Sequence, residues 1–149
     1  MPTARTWDVV LWTGQDAELD KTTNFWEALE STNAELADTG LYMTRLFEED
    51  QVILTSSWRG TRVRLEGPWQ RLVLYRLSDV DLLLSKLMRD DPIDQADAMF
   101  LIKQAGLALA RIRSAISEAR VPPIPEIEEQ FAIASRRLLD RLGASPAGA

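Results

Sequence analysis

The chain has 149 residues, of which 46% are apolar and 27% are charged, a composition that predicts a globular domain with a packed core. It contains neither histidine nor cysteine, which excludes thiol nucleophiles, serine–histidine–aspartate triads and zinc sites built from thiolates or imidazoles. Any bound metal would be a hard ion held by carboxylates, such as Mg²⁺. The lack of cysteine, of a signal-peptide pattern and of a long apolar run predicts a cytoplasmic protein without a membrane span.

The net charge of −6 is unevenly distributed along the chain. Residues 14–50 carry ten acidic and two basic side chains, whereas residues 59–76 carry five arginines and one glutamate. Because the whole chain is acidic, weak or no binding of nucleic acid is expected. The arginine-rich segment is either an exposed strand surface or a place where a phosphate or an acidic partner binds.

The first half of the chain has the pattern of short strands around one helix. Alternating apolar residues predict a strand in TWDVVLW (residues 6–12), and apolar residues at helical spacing predict a helix from about Asn24 to Leu36. Gly40 follows the end of that helix. Further short strands are predicted in LYMTRLF, QVILTSSW, TRVRLEG and QRLVLYRL.

The second half changes to helical patterns. Ser78 with Asp81 three residues later predicts a capped helix start, and Asp91 followed by Pro92 predicts another. The predicted helices cover roughly residues 79–88, 92–104, 107–119 and 125–142. This order of elements predicts an α+β fold with a small mixed or antiparallel sheet followed by a helical bundle. We expect one domain over residues 1–143, strand-rich in 5–77 and helical in 78–143, with 144–149 as a disordered tail.

Lys86, Asp94 and Asp97 lie close together in the sequence, on two helices joined by the turn RDDP. Asp94 and Asp97 are three residues apart and therefore share one helix face. If the two helices are antiparallel, Lys86 comes close to Asp94. The residues alone leave two interpretations open: an ion pair between the helices, or a site that binds phosphate.

Residues 81–102, DLLLSKLMRDDPIDQADAMFLI, resemble the C-terminal signature of bacterial nucleotidyltransferase-like proteins related to the AbiEii-type toxins of toxin–antitoxin and phage-defence systems. The stretches ELADTGLYMTRLFEEDQVIL, LVLYR and EARVPPIPEIEEQF are also similar to members of this family, so the resemblance covers most of the chain. It implies a minimal nucleotidyltransferase fold. The residues that match the signature are Asp81, Ser85, Lys86, Arg89, Asp94, Asp97, Phe100 and Leu101.

The family also has a metal-binding strand of the form T-x-D-[IV]-D, which corresponds here to Thr6–Val10. Side chains two apart on a strand point to the same side, so two carboxylates there can hold Mg²⁺ against a nucleoside triphosphate. In this chain the second position is Val10, which cannot bind a metal, and Asp8 stands alone. The glycine-rich phosphate turn that the family places before this strand has no counterpart in the residues ahead of Thr6. The resemblance therefore implies either an N-terminally shortened member or a gene start that lies further upstream.

The resemblance assigns roles to seven residues in a working enzyme. The catalytic residues would be Asp8 as metal ligand, Lys86 on the triphosphate and Asp94 as second carboxylate or base. Asp94 and Asp97 are further candidate metal ligands beside Asp8. The nucleotide would be bound by Thr6, Ser85, Lys86 and Arg89.

We expect transfer activity to be impaired, because phosphoryl transfer depends on the metal and the phosphate cradle. No cofactor is therefore expected, and Mg²⁺ with a nucleoside triphosphate only if the enzyme is active. Such a protein would act by binding, with a protein partner in a toxin–antitoxin or defence setting. The alternatives are an active Mg²⁺-dependent enzyme that transfers a nucleoside monophosphate to protein or RNA, and a purely structural dimerisation module.

A homodimer is the expected oligomeric state. In the family's fold a preceding helix covers the strand at residues 6–12, and that helix has no counterpart here. Trp7, Val9 and Leu11, or Val10 and Trp12 on the opposite face, would then lie open to water. Because small domains rarely leave such a patch exposed, we expect a second copy of the chain to cover it.

Overall fold

The computed structural model describes residues 5–11, 23–39, 41–68 and 74–144, and for residues 5–11, 23, 25, 41–49, 74 and 144 it describes the backbone alone. In this part of the chain the fold is α+β, as predicted, and most of the described residues are helical. Contacts within the chain group into two compact units, residues 1–51 and 52–149. One domain over residues 1–143 stays a prediction, and the predicted tail, apart from Ala144, lies outside the described residues.

The first unit contains strand β1 (Arg5–Leu11), helix α1 (Thr23–Leu36) and strand β2 (Leu41–Glu48). The two strands are parallel and pair from Arg5 with Leu41 to Leu11 with Glu48, with an irregularity in register between Trp7 and Asp8. A parallel pair needs a long connection, which here contains α1. These elements confirm the strands and the helix that the sequence predicts. Trp12 lies outside the described residues, so the dimer through this strand stays a prediction.

The second unit begins with short strands and continues as helices. Its strands are β3 (Leu54–Thr55), β4 (Val63–Leu65), β5 (Leu74–Arg76) and β6 (Ala119–Arg120). Its helices are α2 (Trp58–Thr61), α3 (Asp79–Leu87), α4 (Pro92–Ala105), α5 (Leu109–Glu118) and α6 (Pro125–Ala144). β3 pairs with β6 and β4 with β5, both antiparallel. Over the described residues, the strands therefore form three separate pairs instead of the one sheet that was predicted.

The segment around residues 51–61 departs most from its predicted form. Only Leu54 and Thr55 of the predicted strand QVILTSSW are extended, and the chain then turns into α2. Trp58, at 6% exposure, is buried at the start of this helical turn. The turn is closed by the amide of Gly60, which donates to the carbonyl of Ser57 at 2.9 Å, and the amide of Arg62, which donates to the carbonyl of Trp58 at 3.0 Å. Burial of the indole and a buried carboxylate beside Thr55 thus override the local strand pattern.

That carboxylate belongs to Asp81, which is 1% exposed. Its Oδ1 accepts hydrogen bonds from the amide and the hydroxyl of Thr55, at 2.8 and 2.7 Å. Its Oδ2 accepts from the hydroxyls of Thr61 at 3.1 Å and Ser78 at 2.5 Å. Ser78 in turn caps α3, because its hydroxyl accepts from the amide of Asp81 at 3.1 Å. One side chain therefore fastens the start of α3 to both β3 and α2, which no strand pattern could indicate.

Helix α3 lies at the centre of the second unit. Val80, Leu83, Leu84 and Leu87 are buried in one cluster with Ile53, which immediately precedes β3, and with apolar side chains of α4, α5 and α6. These side chains are Ala98 and Ile102 of α4, Ile112 and Ala115 of α5, and Phe131, Ala134 and Leu138 of α6. Among the described residues, no helix combines the length and apolar character that a membrane crossing requires.

Helix α4 has the ends that its sequence predicts. The carboxylate of Asp91 accepts from the amides of Ile93 at 2.9 Å and Asp94 at 2.8 Å, and Pro92 occupies the first turn, where it has no amide to lose. At the other end Gly106 adopts a left-handed conformation with φ 61°, which glycine tolerates without a steric penalty. The amide of Leu107 then donates to the carbonyl of Ile102 at 3.1 Å and closes the helix.

Asp81→Ala should destabilise the protein by about 3 kcal/mol, because it leaves buried donors without an acceptor. Asp81→Asn is the matched control and should cost about 1 kcal/mol, since its oxygen can serve Thr55 while the two hydroxyls turn to accept from its NH₂. Urea unfolding followed by tryptophan fluorescence measures both. An equal loss in the two variants would contradict a role based on hydrogen bonding.

Candidate functional site

The candidate site lies on the hairpin of α3 and α4. Arg89, in the turn just after α3, contacts Asp94 in the first turn of α4, and Lys86, three residues before Arg89, contacts Asp97, three residues after Asp94. The residue nearer the start of α3 thus contacts the residue further along α4, which is the pattern of two antiparallel helices. The hairpin therefore confirms that Lys86 and Asp94 come together, and it brings in Arg89 and Asp97 from the same signature.

The four side chains form a network of ion pairs around Asp94, whose side chain is 1% exposed. Lys86 Nζ donates to Asp94 Oδ1 at 3.2 Å and to Asp97 Oδ2 at 2.9 Å. Arg89 approaches with two nitrogens: Nε donates to Asp94 Oδ2 at 2.9 Å and Nη2 donates to Asp94 Oδ1 at 3.0 Å. Two cations and two carboxylates balance, so the network carries no net charge.

The charges reinforce one another. Burial alone would raise the pKa of the Asp94 carboxyl, but hydrogen bonds from Arg89 and Lys86, together with their charges, outweigh it and hold that pKa below its ordinary value of 3.8. Burial likewise lowers the pKa of the Lys86 ammonium, but hydrogen bonds to Asp97 and Asp94 and their negative charges raise it above its ordinary value of 10.5. Both groups are therefore charged throughout the physiological range.

The turn between the helices is fastened to α6. Asp90 has a positive φ of 52°, an uncommon conformation outside glycine that aspartate tolerates better than most residues. Its side chain is 4% exposed. Arg137 Nη1 lies 2.7 Å from Asp90 Oδ2, which makes an ion pair, but the two groups are not oriented for a hydrogen bond. Gln130 Nε2 donates to the carbonyl of Arg89 at 3.1 Å, and Gln95 Nε2 donates to the carbonyl of Asp90 at 2.9 Å.

A small pocket lies between this hairpin and α6, lined by Lys86, Asp90, Asp94, Arg137 and Arg141 together with apolar side chains. Its volume is about 20 Å³. One water molecule needs about 10–15 Å³ measured in this way, whereas pockets for small organic ligands are on the order of hundreds of Å³. The pocket therefore has room for one water molecule, and a nucleotide does not fit into it.

The arginine-rich segment forms the surface of the β4–β5 hairpin. Arg62 stacks on the ring of Tyr75 with 4.2 Å between its guanidinium carbon and the ring centre. Arg64 lies 3.7 Å from Glu66, and Arg76 lies 2.9 Å from Asp79. These neighbours support the interpretation of this segment as an exposed strand surface, and Arg71 lies outside the described residues.

Ser85, to which the resemblance assigns nucleotide binding, makes its contact elsewhere. The hydroxyl of Ser85 donates to the carbonyl of Leu82 at 2.7 Å, within its own helix. Thr6 and Asp8 lie in β1, in the first of the two units, where the backbone alone is described. In the described part of the chain no group of three or more acidic side chains is arranged to hold a metal ion. The roles of these residues in a working enzyme stay predictions.

Comparison with protein-family models, with curated proteins and with solved structures gave no match to this chain. The meaning of the site therefore depends on its geometry and on the resemblance of its residues.

Sequence reasoning missed the contribution of α6. Arg137 and Gln130 are seven residues apart on one helix face, and both contact the α3–α4 turn some forty residues earlier. Their spacing marks them as neighbours on a helix. Nothing in the sequence indicates which distant turn that face meets.

Asp94→Asn should lower the free energy of unfolding by about 2 kcal/mol at pH 7, because the amide replaces a buried charge that two cations contact. The depressed pKa of Asp94 means that its contribution is present above pH 3.8 and is lost as the pH falls through the lower folded-state pKa. The difference between parent and variant should therefore shrink below pH 4, measured by urea unfolding at pH 7, 5, 4 and 3. Asp97→Asn, at a half-exposed position, is the control and should show a smaller difference at pH 7. A difference for Asp94→Asn that is constant down to pH 3 would contradict this assignment.

Proposed function

We propose that the chain is a nucleotidyltransferase-like protein that has lost phosphoryl transfer and acts by binding another protein. The observation that supports this best is the saturation of Asp94. Both of its oxygens accept hydrogen bonds from cationic groups, and both cations are the ones that an enzyme would need for a triphosphate. Lys86 and Arg89 are engaged with carboxylates inside the protein.

Recruiting this network for catalysis would be costly. A triphosphate would have to draw Lys86 and Arg89 away from Asp94, which is 1% exposed, and would leave a buried carboxylate without a partner. Removal of one partner from a buried ion pair costs about 3–5 kcal/mol. A metal ion at Asp94 would meet the same two cations at the oxygens that it needs. The Val10 substitution in the strand that resembles the metal motif adds to this case.

The charge of the chain favours a protein partner over nucleic acid. The net charge is −6, and residues 14–50 contribute a balance of −8. A phosphate backbone is repelled by such an excess of negative charge, and the arginines of the β4–β5 hairpin are partly paired with acidic neighbours. The resemblance to AbiEii-related proteins suggests a toxin–antitoxin or defence setting in the cytoplasm.

Isothermal titration calorimetry with ATP and with CTP in millimolar Mg²⁺ tests the loss of transfer. We expect no measurable heat or a Kd weaker than about 1 mM, because Lys86 and Arg89 are already neutralised. Lys86→Met is the companion variant: it should change stability by about 1 kcal/mol, since Arg89 still pairs with Asp94, and leave any residual nucleotide binding unaltered. A Kd in the low micromolar range that Lys86→Met abolishes would instead support an active transferase.

A further inference from the structure

One face of the β4–β5 hairpin carries two arginines around an exposed tyrosine. Arg64 and Tyr75 are directly opposite each other in the register of the two strands, and opposite residues of an antiparallel pair project from the same face. Arg62 joins them, because its guanidinium carbon lies 4.2 Å from the centre of the Tyr75 ring. Tyr75 is 44% exposed, and the side chain of Arg64 is 62% exposed. Two cations and an aromatic ring therefore meet on one accessible face.

The two arginines have the spacing of alternate residues in a strand. Arg62 has backbone angles of φ −59° and ψ 146°, which are extended, and it precedes Arg64 by two positions. Alternate residues of an extended chain point to the same side and lie about 7 Å apart. An extended ligand with carboxylates at alternate positions has the same repeat, so two of its carboxylates can meet Arg62 and Arg64 together. Arginine suits this contact, because its planar guanidinium binds a carboxylate through two parallel N–H groups.

The acidic residue beside Arg64 holds it only weakly. Glu66 Oε1 lies 3.7 Å from Arg64 Nε, which is too long for a hydrogen bond, and the side chain of Glu66 is 87% exposed. Exposed ion pairs of this kind contribute little to stability, because water screens both charges. An incoming carboxylate can therefore replace Glu66 at small cost. Lys86 differs in this respect, since its partner Asp94 is buried.

The distribution of charge indicates the class of ligand. Residues 59–76 carry five arginines and one glutamate, a balance of +4 in a chain of net charge −6, so the remaining residues sum to −10. A long polyanion such as nucleic acid is repelled by that remainder, whereas a short acidic segment responds to the charges within about 10 Å of it.

We propose that the face formed by Arg62, Arg64 and Tyr75 binds an extended acidic segment of a partner protein, with carboxylates at alternate positions. Arg62 and Arg64 each contact one carboxylate, and the Tyr75 ring holds the guanidinium of Arg62 in place. Glu66 competes with the ligand for Arg64. This inference rests on the proposed binding function and specifies the chemistry of the partner.

Fluorescence anisotropy with the whole chain and a labelled peptide tests the proposal. The probe is a short peptide that alternates glutamate and threonine, for which we expect a Kd on the order of 100 µM at low salt that weakens as salt is added. Glu66→Gln removes the competing carboxylate and should bind about threefold more tightly, whereas Arg64→Gln should bind about fivefold more weakly or worse. Arg111→Gln on α5 and Glu129→Gln on α6 make the same changes of charge at exposed positions outside the hairpin and should bind like the parent.

A second peptide of the same composition has its glutamates in adjacent pairs, which places carboxylates on both sides of an extended chain, and it should bind more weakly. Equal binding of the two peptides would overturn the proposal, as would a parent that binds neither, or an Arg64→Gln variant that binds like the parent. Tighter binding of a uridine oligonucleotide of equal charge would assign the face to nucleic acid instead. Urea unfolding of each variant should match the parent, so that a loss of binding is separated from a loss of the fold. Calorimetry with ATP and CTP concerns phosphoryl transfer alone, so each proposal can fail without the other.

Discussion

The burial of one carboxylate governs the arrangement of α3 and α4. Asp94 is 1% exposed, and a lone charge in such a place would cost several kcal/mol. Two hydrogen bonds from Arg89 and one from Lys86 offset this cost. These three hydrogen bonds constrain both the spacing of the two helices and their rotation. The groups to which the sequence resemblance assigns phosphate chemistry are the same groups that hold this hairpin together. In the described structure both cations are paired with carboxylates of the hairpin.

A second buried carboxylate performs a different task. Asp81 contacts no cation in the described structure and is surrounded by hydroxyl and amide donors from three elements. Donors of this kind satisfy a carboxylate with short, directional contacts and leave its charge uncompensated by a partner ion. Both residues belong to the signature that resembles AbiEii-related proteins. A match in such a signature can therefore reflect the needs of folding as well as those of a reaction.

Much of the second unit could be predicted because its signals are local. Ser78, the Asp91–Pro92 pair and Gly106 mark helix ends through their own backbone chemistry, and the helix bounds agree with the sequence to within a few residues. The ion pair of Lys86 with Asp94 followed from spacing and a short turn. The predicted strands were wrong where contacts between distant residues determine the structure. Trp58 is buried, Asp81 accepts a hydrogen bond from Thr55, and β6 pairs with a strand more than sixty residues earlier in the chain. The partner of Arg137 could not be predicted either, because it is determined by tertiary packing.

The central position of α3 has a consequence for how the second unit opens. Its buried leucines touch α4, α5, α6 and the segment at β3, so none of these can detach without exposing part of α3. Native-state hydrogen exchange in such an arrangement proceeds through one cooperative opening, and the most protected amides should be those of Thr55 and of the middle of α3.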